Sequence, residues 1–233
     1  LVRLAALFLA LVTTGQATAA CRLALVLALD VSSSVDPGEY DLQRIGLASA
    51  LDAPEVRHAI LRGAPGDVAL SVYEWSGRFQ QKVHLDWTML RIDADITGAV
   101  AVLAAMTRRT SDYPTALGSG LGYGAQVMAR APDCDRRVID ISGDGINNDG
   151  FGPDLAYRHF PLDGITVNGL VILGHDIEVL DYYQRQVVRG PRAFTEVAQG
   201  FEDFQSAMAR KLYREINDIV LGALSPAPHI PPQ

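Results

Sequence analysis

Apolar runs and the breaks between them divide the chain into alternating strands and helices. Residues 23–29 are seven uninterrupted aliphatic residues. That is the pattern of a strand buried on both faces, and the run stops too soon to cross a bilayer. Asp36-Pro37-Gly38 turns the chain, and a helix is expected from about 39 to 51. Pro65-Gly66-Asp67 introduces a second strand over 68–75, and Ser76-Gly77-Arg78 links it to a third over 79–87. So short a link implies an antiparallel hairpin. Further helices are expected over 92–106, 116–129, 153–160, 177–186 and 201–220, and further strands over 136–142, 165–173 and 193–197. The segment 116–129 carries Gly118, Gly120, Gly122 and Gly124, which is costly for a helix unless close packing against a neighbour offsets it. In the last helix Phe201, Phe204, Met208, Leu212 and Ile216 fall on one face and read as core. This alternation predicts an α/β fold: a three-layer, doubly wound sandwich with a mostly parallel central sheet and one antiparallel strand.

The ends of the chain modify this picture. Residues 1–20 read as an export signal, with Arg3 as the positive end, an apolar core over 4–12 and small residues at Ala17-Thr18-Ala19-Ala20. One domain is expected over 21–222, followed by a disordered proline-rich tail over 223–233. Lipidation of Cys21 is an alternative, although Thr18 stands where a lipobox usually has leucine. A net charge of −7 argues against nucleic acid or an anionic membrane as the main partner. The hydrophobic fraction of 48% and charged fraction of 20% are those of an ordinary globular domain without a membrane span in the mature chain.

Candidate chemistry gathers where strands end. Asp30, Ser32 and Ser34 leave the carboxyl end of the first strand, the edge at which open α/β sheets bind ligands. A carboxylate and two hydroxyls on alternate residues form an oxygen cluster suited to a hard cation; a serine-rich cap on the next helix is the plainer reading. Thr115 closes a hydroxyl-rich loop, and Asp144 follows the strand RRVIDIS. The histidines, His58, His84, His159, His175 and His229, have no paired spacing for zinc, and no serine sits in a G-x-S-x-G elbow. Asp140, inside an apolar strand, reads as a buried carboxylate with a hydrogen-bonding or ionic partner.

Asp30-x-Ser32-x-Ser34, Thr115 opening Thr-Ala-Leu-Gly, and Asp144 after a strand together resemble the metal-ion-dependent adhesion site of von Willebrand factor A (vWA) domains. Within that superfamily LALVLALDVSSSVD, RRVIDISGDGINNDG and ITVNGLVI resemble an exported bacterial group, domain of unknown function 1194. One departure is Tyr113-Pro114, where A domains often have a glycine two residues before the threonine. The resemblance implies a vWA-like, Rossmann-type fold. It implies Ser32, Ser34 and Thr115 as direct ligands of Mg²⁺, or of Mn²⁺ or Ca²⁺, with Asp30 and Asp144 acting largely through water. The implied role is non-enzymatic: a periplasmic or secreted module whose metal bridges to an acidic side chain of another protein. The implied sheet order makes the strands before Asp30 and Asp144 neighbours, so that Cys21 and Cys134 meet at their far ends in a disulfide, which export favours.

Two other functions remain open from sequence. Gly143-Asp144-Gly145-Ile146-Asn147-Asn148-Asp149 resembles the last motif of haloacid-dehalogenase-type phosphatases, with Asp30 as nucleophile. Against it, Ser32 replaces their second acid, and the chain's two lysines are Lys82 and Lys211, neither between the later motifs. The other is a structural envelope scaffold with a vestigial metal site.

Overall fold

A computed structural model describes residues 20–174 and 176–217. Residues 1–19 of the export signal expected over 1–20, His175, the end of the last expected helix and the expected proline-rich tail lie outside the described residues. Among the described residues six strands form one sheet: β1 (Cys21–Asp30), β2 (Asp67–Trp75), β3 (Gln81–Leu90), β4 (Cys134–Gly143), β5 (Thr166–Ile172) and β6 (Thr195–Ala198). Their order is β3-β2-β1-β4-β5-β6, with β3 antiparallel to β2 and the remaining pairs parallel. The helices are α1 (Pro37–Asp52), α2 (Pro54–Arg62), α3 (Asp93–Ala104), α4 (Leu117–Met128), α5 (Pro153–His159), α6 (Val179–Tyr182) and α7 (Phe204–Asn217). The fold is the expected three-layer α/β sandwich with a single antiparallel strand.

β1 is central, and from Arg22 to Asp30 every residue is buried. Alternation along it separates two cores. Leu23, Leu25, Leu27 and Leu29 face α1, α2, α3 and α7, whereas Ala24, Val26 and Ala28 face α4, α5 and α6. The small residues on the second face match a tightly seated α4. A Cβ on Gly120 would lie 2.9 Å from the Trp75 ring, and one on Gly124 would lie 2.8 Å from the Tyr73 hydroxyl. Packing against the sheet is therefore what offsets the glycine content of this helix. The predicted stripe on α7, from Phe204 to Ile216, is buried in the first core.

Three elements differ from the sequence expectation. α2 was not foreseen: Pro54 ends α1, yet the same ring fits the first turn of a new helix whose Val56, Ala59 and Ile60 are buried. β3 begins at Gln81 rather than 79, because Ser76 N–H donates to Gln80 C=O at 3.1 Å and keeps Phe79 in the turn, 88% exposed. The helix expected over 177–186 is α6 followed by a π turn, Tyr183–Val187. Asp36 caps α1, accepting from Glu39 N–H at 2.8 Å while Glu39 Oε2 accepts from Asp36 N–H.

Cys21 and Cys134 are paired in register on β1 and β4 and form a disulfide. Asp140 also has the partner expected of it. Lys211, fully buried on α7, lies 3.0 Å from Asp140 Oδ1 and 2.7 Å from Glu215 Oε1. Burial pushes the Asp140 carboxyl up to about 8; the Lys211 charge opposes this and the Glu215 charge adds to it.

Candidate functional site

The strand order reverses between β1 and β4, so their carboxyl ends flank the topological switch point, where crossover loops diverge and leave a crevice. The structure brings all five sequence-predicted residues together there. Asp30 ends β1, fully buried, and its Oδ1 accepts from Ser32 N–H at 2.8 Å. The hydroxyls of Ser32 and Ser34 are 3.1 Å apart, and Ser34 Oγ donates to Asp144 Oδ1 at 2.9 Å. The Thr115 hydroxyl, on the loop leading into α4, lies 3.2 Å from Ser32 Oγ. Three loops thus contribute to one continuous oxygen cluster.

Residues outside the five-residue cluster hold these loops. Arg108 donates to the carbonyls of Val31, Ser32 and Val35 at 2.7–2.8 Å, clamping the turn that carries both serines. Tyr113 C=O accepts from Ser33 N–H at 2.8 Å, so the loop that departs from the usual glycine pattern still carries Thr115 into the cluster. Asn148 Oδ1 accepts from Thr115 N–H at 2.8 Å, and Asn147 Oδ1 accepts from Gly118 N–H at 3.3 Å. The two asparagines were visible in the run after Asp144. Arg108 carried no signal, because its partners are backbone carbonyls more than seventy residues earlier.

The electrostatics are those of a site short of positive charge. Burial pushes the Asp30 carboxyl up to about 7, and the Asp144 charge adds to this. Hydrogen bonds from Ser32 and the charge of Arg108 pull the other way. Asp30 Oδ2 is buried without a hydrogen-bond partner among the described residues. A buried acceptor left unmatched is costly. Among the described residues no group of three or more His, Cys, Asp or Glu could hold a metal ion. The donor set here is two carboxylates and three hydroxyls, all oxygen, which fits a hard divalent cation and suits neither a soft metal nor zinc in a thiolate site. A cation at this cluster would offset the carboxylate repulsion.

The phosphatase-type alternative needs a cation free to meet a phosphate, and among the described residues the one beside Asp30, Arg108, is committed to the carbonyls of Val31, Ser32 and Val35. Lys211 is buried against Asp140 and Glu215, Lys82 lies on β3, and Arg136 and Arg137 open β4 at the end away from Asp144. Among the described residues no helix is long and apolar enough to cross a membrane.

Residues 20–220 match the family model described as "Protein of unknown function (DUF1194)". No curated protein matches the chain. Among solved structures it is similar to proximal thread matrix protein 1 from the mussel byssus with a zinc-occupied MIDAS motif, at 14% identity and a TM-score of 0.58, covering 85% of this chain and 47% of that one. It is also similar to a von Willebrand factor type A protein from Catenulispora acidiphila, at 16% identity and a TM-score of 0.57, covering 84% and 42%. A third is the pilus adhesin SpaC from Lactobacillus rhamnosus GG, at 13% identity and a TM-score of 0.58, covering 85% and 32%. The chain thus spans less than half the length of each of these proteins. At such identities the likeness establishes the fold, which is that of a vWA domain.

Proposed function

The chain belongs to the DUF1194 family and has a vWA fold, and from its oxygen-lined sheet edge we propose that it is an exported protein-binding module, not an enzyme, which uses a divalent metal ion to bridge to an acidic side chain of a partner. The observation that carries this reading is the convergence of Asp30, Ser32, Ser34, Thr115 and Asp144 from three loops into one hydrogen-bonded cluster. Ser32, Ser34 and Thr115 would hold the ion directly, while Asp30 and Asp144 would act largely through water. A bound Mg²⁺, or Mn²⁺ or Ca²⁺ in its place, would supply a positive centre with a position open to a carboxylate. Neutral hydroxyls compensate little of that charge, which leaves affinity for an incoming anion. Arg108 and Asn148 contribute by fixing the loops beforehand, so that little ordering entropy opposes binding. The adhesin among the similar structures and the disulfide support an extracytoplasmic setting.

The test has two stages. Thermal unfolding with and without MgCl₂ should show metal-linked stabilisation, about 2.7 kcal/mol at a hundredfold excess over Kd, and Asp144→Ala should abolish it. Affinity capture from envelope extract in MgCl₂ and in EDTA should then recover a partner with the wild type only when metal is present. If Asp144→Ala changes neither metal binding nor capture, the reading is wrong. A wild type whose unfolding ignores every divalent ion would instead be a scaffold with a vestigial site.

A further inference from the structure

Beneath the metal edge, on the face of the sheet that packs against α4, lies a phenol that the five-residue motif does not contain. Tyr183 is fully buried at the start of the π turn, and its hydroxyl has no hydrogen-bond partner among the described residues. Its ring reaches the edge along a track of two glycines on adjacent strands. A Cβ on Gly169 of β5 would lie 2.8 Å from Tyr183 Cδ1, and a Cβ on Gly143 of β4 would lie 2.5 Å from the Tyr183 hydroxyl. That same Gly143 position is 2.9 Å from Asp30 Oδ2, itself a buried polar atom without a hydrogen-bond partner among the described residues. One unmatched donor and one unmatched acceptor therefore meet over the same glycine, and any larger side chain at 143 would be driven between them. π turns are rare and concentrate at functional sites, because the extra residue re-aims the side chains that follow the insertion.

We propose that Tyr183 is a positioning residue of the metal site, its hydroxyl donating to Asp30 Oδ2 either after a small side-chain rotation or through one ordered water. Asp30 has its other oxygen committed to Ser32 N–H at 2.8 Å, so a donor on Oδ2 fixes the rotation of the whole carboxylate. Fixing that rotation presents the group to an ion in one orientation, and orienting partners of this kind are worth about 10–100-fold in metal affinity. Gly143 and Gly169 are the sequence cost of that arrangement: they keep clear the path the ring needs.

This inference rests on the metal-site reading of the preceding subsection, and calorimetric titration with MgCl₂ separates the two. Wild type should bind, and Tyr183→Phe should stay folded but bind about tenfold more weakly, with a slightly lower metal-free melting temperature because Asp30 Oδ2 loses its donor. Adding MgCl₂ to the wild type should also produce a tyrosine difference absorption that Tyr183→Phe lacks. A Tyr183→Phe affinity within about twofold of wild type, with no difference between the two absorption changes, overturns the role of Tyr183 and leaves the metal site standing. A wild type that binds none of Mg²⁺, Mn²⁺ and Ca²⁺ overturns both.

Discussion

Removing the Cys21–Cys134 bridge is the perturbation whose magnitude follows most directly from the structure. The two residues are register partners on adjacent parallel strands, with Cα atoms 4.5 Å apart, so the native state holds them together whether or not the sulfurs are joined. The effect of the bond then falls on the unfolded chain, where it closes a loop of sequence separation 113. In the chain-entropy model a loop of this length is worth about 4.8 kcal/mol at 25 °C. For a domain of this size that corresponds to a fall in Tm of roughly 10–20 °C. The assay is urea unfolding of the double variant Cys21→Ala, Cys134→Ala; alanine avoids burying a new hydroxyl. The denaturant slope should also rise, because the open unfolded chain exposes more surface. Wild type under reductant should behave like the variant. A loss below about 1 kcal/mol, with no change in slope, would refute the assignment of the effect to the unfolded state.

Other predictions concern the buried charges and the close helix. Lys211→Met, which leaves Glu215 buried without its cation and Asp140 without its ammonium neighbour, should cost about 3–5 kcal/mol in chemical denaturation. Asp140 keeps its proton in the folded state up to about 8, whereas its unfolded value is the ordinary 3.8. The native state therefore binds more protons over that window, and this contribution to stability falls as pH rises from about 4 to about 8. Comparing denaturation midpoints across that range, Asp140→Asn should lose the falling component. Gly120→Ala should destabilise by about 1–3 kcal/mol through its contact with Trp75, overriding the roughly 1 kcal/mol helix preference for alanine. A gain in Tm would show that α4 has room to shift.

Patterns repeated within a short window determined most of the architecture. The aliphatic run of β1, the hairpin between β2 and β3 and the stripe on α7 each state their environment locally, since period and turn chemistry act over a few residues. The order of Asp30-x-Ser32-x-Ser34, Thr115 and Asp144 was equally legible, because every member sits just beyond a recognisable strand or before a recognisable helix. What the sequence could not decide depends on contacts between distant segments. Pro54 reads as a break, and only burial of Val56 and Ile60 makes the next turns a helix. The extent of β3 depended on a hydrogen bond between Ser76 and Gln80 that holds Phe79 in the turn. Arg108 acts through carbonyls, which every residue has, so no residue pattern could reveal its partners. Tyr183 is the extreme case: its meeting with Asp30 needs a π turn and two glycines on separate strands, which only the packed sheet brings into line.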